Sequence, residues 1–418
     1  MRDRDLRLSA FSLLSAVALS SSACGESDDG HALERLVEHP VPGCEHIDHS
    51  CCDVRRADCQ ERLLSLAACL RGEEGGELPP ISIVSPAQYE NYLRMVYAEN
   101  PLPEPNHYER ALDLLGLVEP GAFDPDALIG KRVENVGGFY RYVTRDIVLV
   151  DREQASGADE ACYSLLHEFI HFLQDRQVDL VQFSEQYEMS DDSFLAARSL
   201  IEGEAHVHTT RYVVSLFGLE LDRVDWIGHF DNAIAQRERW LFQQRSPYAA
   251  SSSVFPYYWG ALLVHRAWLA GGQTAITDLF AAPPTTTHQV MASRNAPAPP
   301  PPEVSLPPSV PAQPGWELWS EETLGAWGVY VRVMLPRGSA ANEKALAWQA
   351  DRLAIYAKTD ALATPRTIAV WRIQFADSRV AEEVHALLAT PDVFASLEDG
   401  MLTLAASDEP NFEWALGE

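Results

Sequence analysis

The sequence predicts an α+β protein with a mainly helical core, a small antiparallel sheet and a small C-terminal α/β element. Apolar residues recur at helical spacing through most of the central part of the 418-residue chain. Apolar runs typical of strands occur at 135–151, 352–357 and 367–375. A proline-rich run follows the central part. We therefore expect three consecutive regions: a central region at 79–295, a linker at 296–314 and a C-terminal subdomain at 315–418.

The first 23 residues are typical of an export signal. A basic start precedes an apolar run at 8–19, which is too short to span a membrane as a stable helix. The stretch 21–24, Ser-Ser-Ala-Cys, resembles a bacterial lipoprotein signal, in which Cys24 is lipidated and becomes the new N-terminus. This predicts a cell-envelope lipoprotein on the outer membrane or the periplasmic face. The alternative is ordinary cleavage near Ala23, which would release a secreted protein.

Residues 24–78 are expected to form a polar tether and a cysteine-rich segment. With Cys24 set aside, six cysteines remain, an even number that suits three disulfides in an exported chain. They are Cys44, Cys51, Cys52, Cys59, Cys69 and Cys162. Six cysteines allow fifteen connectivities, and the sequence does not choose among them. A second metal site, made of these cysteines with His46 and His49, is the alternative.

The region before the central motif mixes helix and strand. Residues 87–99 and 108–117 have apolar residues at helical spacing. Residues 135–151 have the pattern of a hairpin, with a Gly pair at 137–138 followed by Phe139 and Tyr140. We expect this hairpin to supply the small sheet.

The central motif is His-Glu-x-x-His at 167–171, inside an otherwise apolar run. Residues four apart on a helix share a face, so His167 and His171 can bind one metal ion together. Glu168 lies one position on and can reach a water bound to that ion. The alternative is a pair of core histidines, but two imidazoles and a carboxylate in one buried turn are costly without partners.

A third metal ligand is expected in a second helix at 192–217, with Asp191 or Asp192 as its N-cap. It contains Glu-Gly-Glu at 202–204. Glu202 and Glu204 point to roughly opposite sides of a helix, so only one can face the metal. The glycine between them is unfavourable in a helix, and a close approach to the His-Glu-x-x-His helix would explain it. The alternative is that both glutamates are solvated surface charges.

His-Glu-x-x-His followed by Glu-Gly-x-Ala resembles the gluzincin branch of zinc metallopeptidases, which includes thermolysin and the aminopeptidases. Leu173-Gln174-Asp175 after the motif resembles a group of bacterial exported proteins that carry His-Glu-Leu-Thr-His-Ala-Leu-Gln-Asp, and this likeness covers residues roughly from 80 to 418. The resemblance implies a zincin-like fold and a Zn²⁺ ion held by His167, His171 and Glu202. It also implies that Glu168 is the catalytic base and that an extended peptide substrate pairs with the strand before the motif.

The segments after the metal helices are expected to be helical at 231–244 and 255–270. Tyr257 is the first candidate for a catalytic hydrogen-bond donor to the oxyanion of a tetrahedral intermediate, and His265 is the second. Aromatic packing is the alternative for both. His206 and Asp175, each one turn from a metal ligand, are candidates for orienting the histidines. Beyond the linker, the two strands at 352–357 and 367–375 and a helix at 378–388 form the C-terminal element, where Asp351 and Arg352 are expected to form a buried ion pair.

The composition excludes several classes of partner. The chain has 61 acidic and 32 basic residues, so its formal charge is −29. Such a surface repels nucleic acid and anionic lipid. The expected partners are therefore a peptide or protein substrate, and the membrane through a lipidated Cys24. The sequence does not reveal the substrate or the oligomeric state.

Three other functions are compatible with the sequence. One is a surface-anchored binding or assembly protein that retains a structural or inactive zinc site, which a fourth protein ligand would indicate. Another is a hydrolase that acts on bonds other than peptides with the same zinc chemistry. The third makes the cysteine-rich segment an inhibitory prosegment whose thiolate binds the zinc.

Overall fold

The computed structural model describes most of the chain. It covers residues 40–102, 106–294, 315–337, 341–358, 365–409, 412 and 414, with the side chains of 153–159 and 335–337 left out. The expected export signal, Cys24 and the proline-rich linker lie outside the described residues. In the part that is described, no helix combines the length and the apolar composition needed to cross a membrane.

The protein is an α+β structure in which helices predominate, as the sequence predicts. The helices are α1 (Ala57–Arg71), α2 (Pro86–Glu99), α3 (His107–Leu114), α4 (Pro125–Asn135), α5 (Glu153–Val178), α6 (Leu180–Tyr187), α7 (Asp191–Leu216), α8 (Trp226–Leu241), α9 (Pro247–Ser251), α10 (Phe255–Ala281), α11 (Thr287–Ala292), α12 (Gly325–Arg337), α13 (Ala341–Leu346) and α14 (Ser378–Leu388). The strands are β1 (Ile81–Val84), β2 (Gly138–Arg141), β3 (Asp146–Val150), β4 (Glu317–Glu322), β5 (Trp348–Lys358), β6 (Arg366–Phe375), β7 (Phe394–Glu398) and β8 (Met401–Ser407).

The sheet beside α5 has three strands in the order β1-β3-β2. The expected hairpin is confirmed, because β2 and β3 pair antiparallel with Gly138 opposite Leu149. The sheet as a whole is mixed rather than antiparallel, since β1 pairs with β3 in the parallel direction. Parallel pairing needs a long crossover, and helices α2 to α4 lie between β1 and β2 in the chain. Strand β2 lies at the edge of this sheet.

The C-terminal sheet is larger than expected. Five antiparallel strands lie in the order β4-β5-β6-β8-β7. The two expected strands fall within β5 and β6, and the expected helix at 378–388 is α14. Strands β4, β7 and β8 and helix α12 are not predicted from the sequence. Because all its pairings are antiparallel, the element has the architecture of an α+β unit rather than an α/β unit.

Two hydrophobic cores surround helices α5 and α7. One buries α5 against α1 and the three-stranded sheet, with Leu166, Ile170 and Leu173 on the helix side. The other buries α7 and α10 against α12 and the C-terminal sheet. Helix α7 is therefore covered on most sides, which explains why its sequence is not amphipathic.

Gly203 lies where α7 crosses α10. A Cβ atom built on Gly203 would lie 2.4 Å from the carbonyl carbon of Gly260, and one built on Gly260 would lie 2.1 Å from the carbonyl oxygen of Ser199. Only glycine permits two helix backbones to approach so closely. The expectation that Gly203 makes room for the His-Glu-x-x-His helix is therefore wrong. Its partner is α10.

The N-terminus of α7 joins the metal region to the C-terminal sheet. The N-cap is Ser190 in a capping box with Ser193, not Asp191 or Asp192 as expected. Asp192 is buried instead, and its carboxylate accepts a hydrogen bond from the Thr287 backbone amide at 2.8 Å. Its own amide donates to the Thr323 carbonyl at 3.0 Å.

The expected ion pair between Asp351 and Arg352 does not form. The two residues are neighbours on β5, so their side chains point to opposite faces. The Nε atom of Arg352 lies 3.8 Å from the Oε1 atom of Glu321 instead. Asp351 is buried and accepts four hydrogen bonds, which supports a structural role. The donors are the backbone amides of Leu324 and Gly325 and the indole nitrogens of Trp348 and Trp371.

The prediction of three disulfides is confirmed. They join Cys44 to Cys69, Cys51 to Cys162 and Cys52 to Cys59. The first and third hold the cysteine-rich segment together around α1. The second ties this segment to α5, one and a half turns before His167.

Candidate metal centre

Three side chains that can bind a metal converge between α5 and α7. They are His167, His171 and Glu202, all fully buried. The Glu202 Oε2 atom lies 3.4 Å from the Nε2 atom of each histidine. Metal–ligand bonds of about 2.0–2.1 Å at tetrahedral angles put ligand atoms roughly 3.3 Å apart. The triad therefore has the spacing to hold one metal ion.

The helices explain why these side chains meet. His167 and His171 are four residues apart on α5 and lie on one face, with their ring centroids 4.7 Å apart. Glu202 comes from the middle of α7, which packs against α5. The sequence prediction that Glu202 rather than Glu204 faces the histidines agrees with this geometry. The alternative that both glutamates are surface charges is wrong, since both are fully buried.

Arg198 fixes the second oxygen of Glu202. Its Nε and Nη2 atoms donate to Oε1 at 3.3 and 3.2 Å, one helical turn away. Burial opposes ionisation of Glu202, but the two histidines and Arg198 outweigh it and hold the pKa of Glu202 well below its usual range. Glu202 is therefore an anion whose Oε2 atom faces both histidines. Arg198 is not among the residues predicted from the sequence, although its position four residues before Glu202 is a usable signal.

Glu168 is a buried carboxyl group beside the triad. Neither of its oxygens has a hydrogen-bond partner among the residues that the structure describes. Burial raises the pKa of Glu168 to about 8. Its Cγ atom would lie 3.4 Å from a Cβ atom on Gly138, so it reaches the edge strand β2. An unpartnered carboxyl group with a pKa near neutrality is suited to accept and donate protons.

Tyr257, the first candidate for the oxyanion donor, lies at the site. Its ring stacks on that of His167 with centroids 6.1 Å apart. Burial, and then the nearby Glu202 carboxylate, raise the pKa of Tyr257 well above its usual value, so the hydroxyl keeps its proton. His265 packs against Trp226 and Phe230 instead, at 5.8 and 5.5 Å between ring centroids. The aromatic-packing interpretation therefore describes His265.

The partner that orients His171 is Gln174, not Asp175. Its Oε1 atom lies 2.8 Å from Nδ1 of His171. Asp175 accepts hydrogen bonds from the Tyr140 hydroxyl and the Leu180 amide. His206, the other candidate, lies one turn after Glu202 and packs against Tyr258 with ring centroids 5.2 Å apart.

Burial lowers the pKa of His206 to about 3, so this imidazole is neutral. For His167, the Nδ1 atom has no hydrogen-bond partner within the described part of the chain. Burial lowers the pKa of His167 to about 4, which also leaves this imidazole neutral. A neutral imidazole is the form that binds metal ions.

The six cysteines that the structure describes take no part in the candidate site. All six cysteines after Cys24 are in disulfides. A thiolate ligand from the cysteine-rich segment is therefore not available, and the inhibitory-prosegment hypothesis in that form is wrong. The alternative of a second metal site built on these cysteines is wrong for the same reason.

Comparison of the chain with protein-family models, curated proteins and solved structures finds no match. The fold and the site are therefore the features from which a function can be inferred. Together they define an α+β protein with a buried two-histidine, one-carboxylate site that could bind a metal ion.

Proposed function

We propose that this protein is a zinc-dependent metallopeptidase of the gluzincin type with a zincin-like fold. The observation that carries the proposal is the arrangement of His167, His171 and Glu202 around one point, with the unpartnered carboxyl group of Glu168 beside it. Two histidines and a glutamate are the protein ligands of thermolysin-type zinc sites. Within the described residues, three such ligands converge rather than four. Three ligands are typical of a catalytic site with a place for water, which favours an enzyme over a structural zinc site.

Zinc is the metal that the donor set favours. Two imidazoles and one carboxylate form a mixed nitrogen and oxygen set, which suits Zn²⁺ better than Ca²⁺ or Mg²⁺. The distance of 3.4 Å from the Glu202 Oε2 atom to each histidine Nε2 atom fits the short bonds of Zn²⁺. When bound, the ion would supply Lewis-acid polarisation of the scissile carbonyl and a lower pKa for its water.

Glu168 is proposed as the general base and then the general acid. Its carboxylate would take a proton from the attacking water and deliver it to the leaving amine nitrogen. Tyr257 would donate a hydrogen bond to the oxygen that becomes negative in the tetrahedral intermediate, because its hydroxyl keeps its proton.

The edge strand β2 is proposed to bind the substrate backbone. It is one of the two outer strands of the three-stranded sheet, and Gly138 at its start lies against Glu168. An extended peptide can add to such an edge through main-chain hydrogen bonds. This favours a peptide or protein substrate over a small ester.

The proposed location is the cell envelope. Three disulfides are compatible with an oxidising compartment outside the cytoplasm. Lipidation of Cys24 would anchor the protein to a membrane, and the strong negative charge of the chain disfavours contact with nucleic acid.

The experiment that tests the proposal compares the mature protein with its Glu168→Gln variant. Both are loaded with zinc and assayed against a peptide library and an ester panel, before and after chelation. We expect chelator-sensitive peptide hydrolysis by the parent protein, and no turnover by the variant at equal zinc content. Hydrolysis by a zinc-loaded variant at the parent rate would contradict the mechanism. Zinc binding without hydrolysis of any substrate would favour the binding or assembly protein.

A further inference from the structure

Glu204 lies at the centre of a second buried polar cluster, next to the metal triad. Its carboxylate is fully buried. Arg71 Nε donates to Oε1 at 2.9 Å, and Gln273 Nε2 donates to the same oxygen at 2.7 Å. Gln174 Nε2 donates to Oε2 at 2.8 Å. Glu204 thus accepts hydrogen bonds from three side chains on three different helices, and His208 Nε2 of its own helix lies 3.7 Å from Oε1.

Gln174 connects this cluster to a metal ligand. Its amide nitrogen has two acceptors, the carboxylate of Glu204 and the carbonyl of Ile201 at 2.9 Å. The amide oxygen is therefore the atom that faces His171, and it can only accept a hydrogen bond. His171 must then carry its proton on Nδ1. The lone pair on its Nε2 atom is left for the metal, on the side of Glu202.

Arg71 supplies the positive charge of the cluster. It is the last residue of α1, and its side chain is only 1% exposed. Besides Glu204, its guanidinium contacts Glu73 and Gln177. A buried carboxylate that loses its cation is strongly destabilised. The orientation of Glu204, and through it that of Gln174, therefore depends on a residue outside the two metal helices.

The cysteine-rich segment holds Arg71 in place. The disulfide from Cys69 to Cys44 lies two residues before Arg71, and the disulfide from Cys51 to Cys162 joins the segment to α5. Leu66 and Leu70 of α1 are buried in the same core as Leu166 of α5. The segment is thus packed into the metal region by a core and a covalent bond.

We propose that Arg71, Glu204 and Gln174 are positioning residues that keep the proton of His171 on its Nδ1 atom. Because the cysteine-rich segment supplies Arg71, this segment completes the metal site. This inference rests on the proposed function only in taking His171 as a metal ligand. It assigns the segment the opposite effect to that of an inhibitory prosegment, because the segment supports metal binding.

The test measures zinc affinity of the full mature protein by competition with a chromophoric chelator. Arg71→Met keeps the stem of the side chain and removes its charge. We expect its zinc affinity to fall by about 10- to 100-fold, as for loss of other partners of metal-binding histidines. The matched control is Arg62→Met on the same helix, whose side chain binds Asp48 and the Ser50 carbonyl within the segment. Its affinity should stay within about twofold of the parent.

The double variant Arg71→Met with Glu204→Gln separates positioning from general loss of stability. It removes both charges and keeps an amide carbonyl for Gln174 to bind, so most of the lost affinity should return. The absorption spectrum of the Co²⁺-loaded protein, which reports the ligand geometry, should return with it. Unchanged affinity in Arg71→Met, or no recovery in the double variant, would overturn the inference. Failure of the parent protein to bind zinc would instead contradict the proposed function.

Discussion

Gly203 and Gly260 touch backbone to backbone, with 2.4 Å between a Cβ built on Gly203 and the carbonyl carbon of Gly260. This contact sets the distance between α7 and α10, and so places Glu202 relative to Tyr257. We expect Gly203→Ala to lower the free energy of unfolding by about 3 kcal/mol or more, measured by urea titration, because neither backbone can yield.

The matched control is Gly130→Ala on α4, where a Cβ would meet nothing within 4 Å. Alanine should stabilise that exposed helix by about 0.5–1 kcal/mol. Equal urea midpoints for Gly203→Ala and the parent protein would show that the crossing is looser than the structure describes.

The two glutamates of α7 should differ in their effect on metal content. Glu202→Ala removes the oxygen that lies 3.4 Å from both histidines, so the purified variant should lose its zinc on dialysis against a weak chelator. Glu204→Ala should retain close to one zinc per chain, with an affinity about 10- to 100-fold weaker. Zinc retained by the first variant and lost by the second would reverse the assignment of the third ligand.

Tyr257→Phe should lower kcat by about 10²- to 10³-fold and leave KM and zinc affinity nearly unchanged, because the hydroxyl acts on charge that develops in the transition state. Steady-state kinetics on a cleaved peptide give both constants. Tyr258→Phe is the control, since that neighbouring ring packs under Arg237, 4.7 Å from its centroid. Equal losses of kcat in the two variants would argue against a catalytic hydroxyl at position 257.

The buried carboxyl group of Glu168 should make the metal-free protein less stable as the pH rises. Burial raises its pKa from the ordinary value of 4.5 to about 8. Between these values the folded protein holds a proton that the unfolded chain has released, so the stability falls with increasing pH. Glu168→Gln removes this dependence and should stabilise the metal-free protein more at pH 8 than at pH 5.

The upper bound of this gain is about 5 kcal/mol, at about 1.4 kcal/mol per pKa unit. Urea unfolding of the metal-free parent and variant at both pH values measures it. Glu185→Gln, at an exposed position on α6, is the control and should show no such difference between the two pH values. A gain for Glu168→Gln that is the same at pH 5 and pH 8 would show that Glu168 is not perturbed by burial.

The parts of the site that could be predicted from the sequence are local. His167, Glu168 and His171 lie within one turn and a half, where helical geometry alone decides their relation. Arg198 and Gln174 were within reach of the same reasoning, since each is three or four residues from a metal ligand. Arg71 was not, because its contact with Glu204 spans 133 residues. Sequence periodicity does not encode such a distance.

The same distinction between local and long-range contacts explains which parts of the fold could be predicted from the sequence. Helix α14 was predicted with its observed limits because its apolar stripe is regular. The edge strand β4 has the sequence Glu-Leu-Trp-Ser-Glu-Glu, which lacks an apolar alternation, and its pairing with β5 forms it. The parallel pairing of β1 with β3 could not be predicted from the sequence either. The connection between two strands, and not the residues of the strand, decides whether they pair in parallel.

Helix α7 fixes the distance and the rotation between two residues that are each held by other parts of the protein. Asp192 at its start is fixed to Thr287 and to the carbonyl of Thr323, and Glu202 ten residues later faces the histidines. Inserting or deleting one residue between them would rotate Glu202 by about 100° around the helix. The length of this stretch should therefore be fixed in evolution even where its side chains vary, and changes in chain length should accumulate in loops such as the one between α7 and α8.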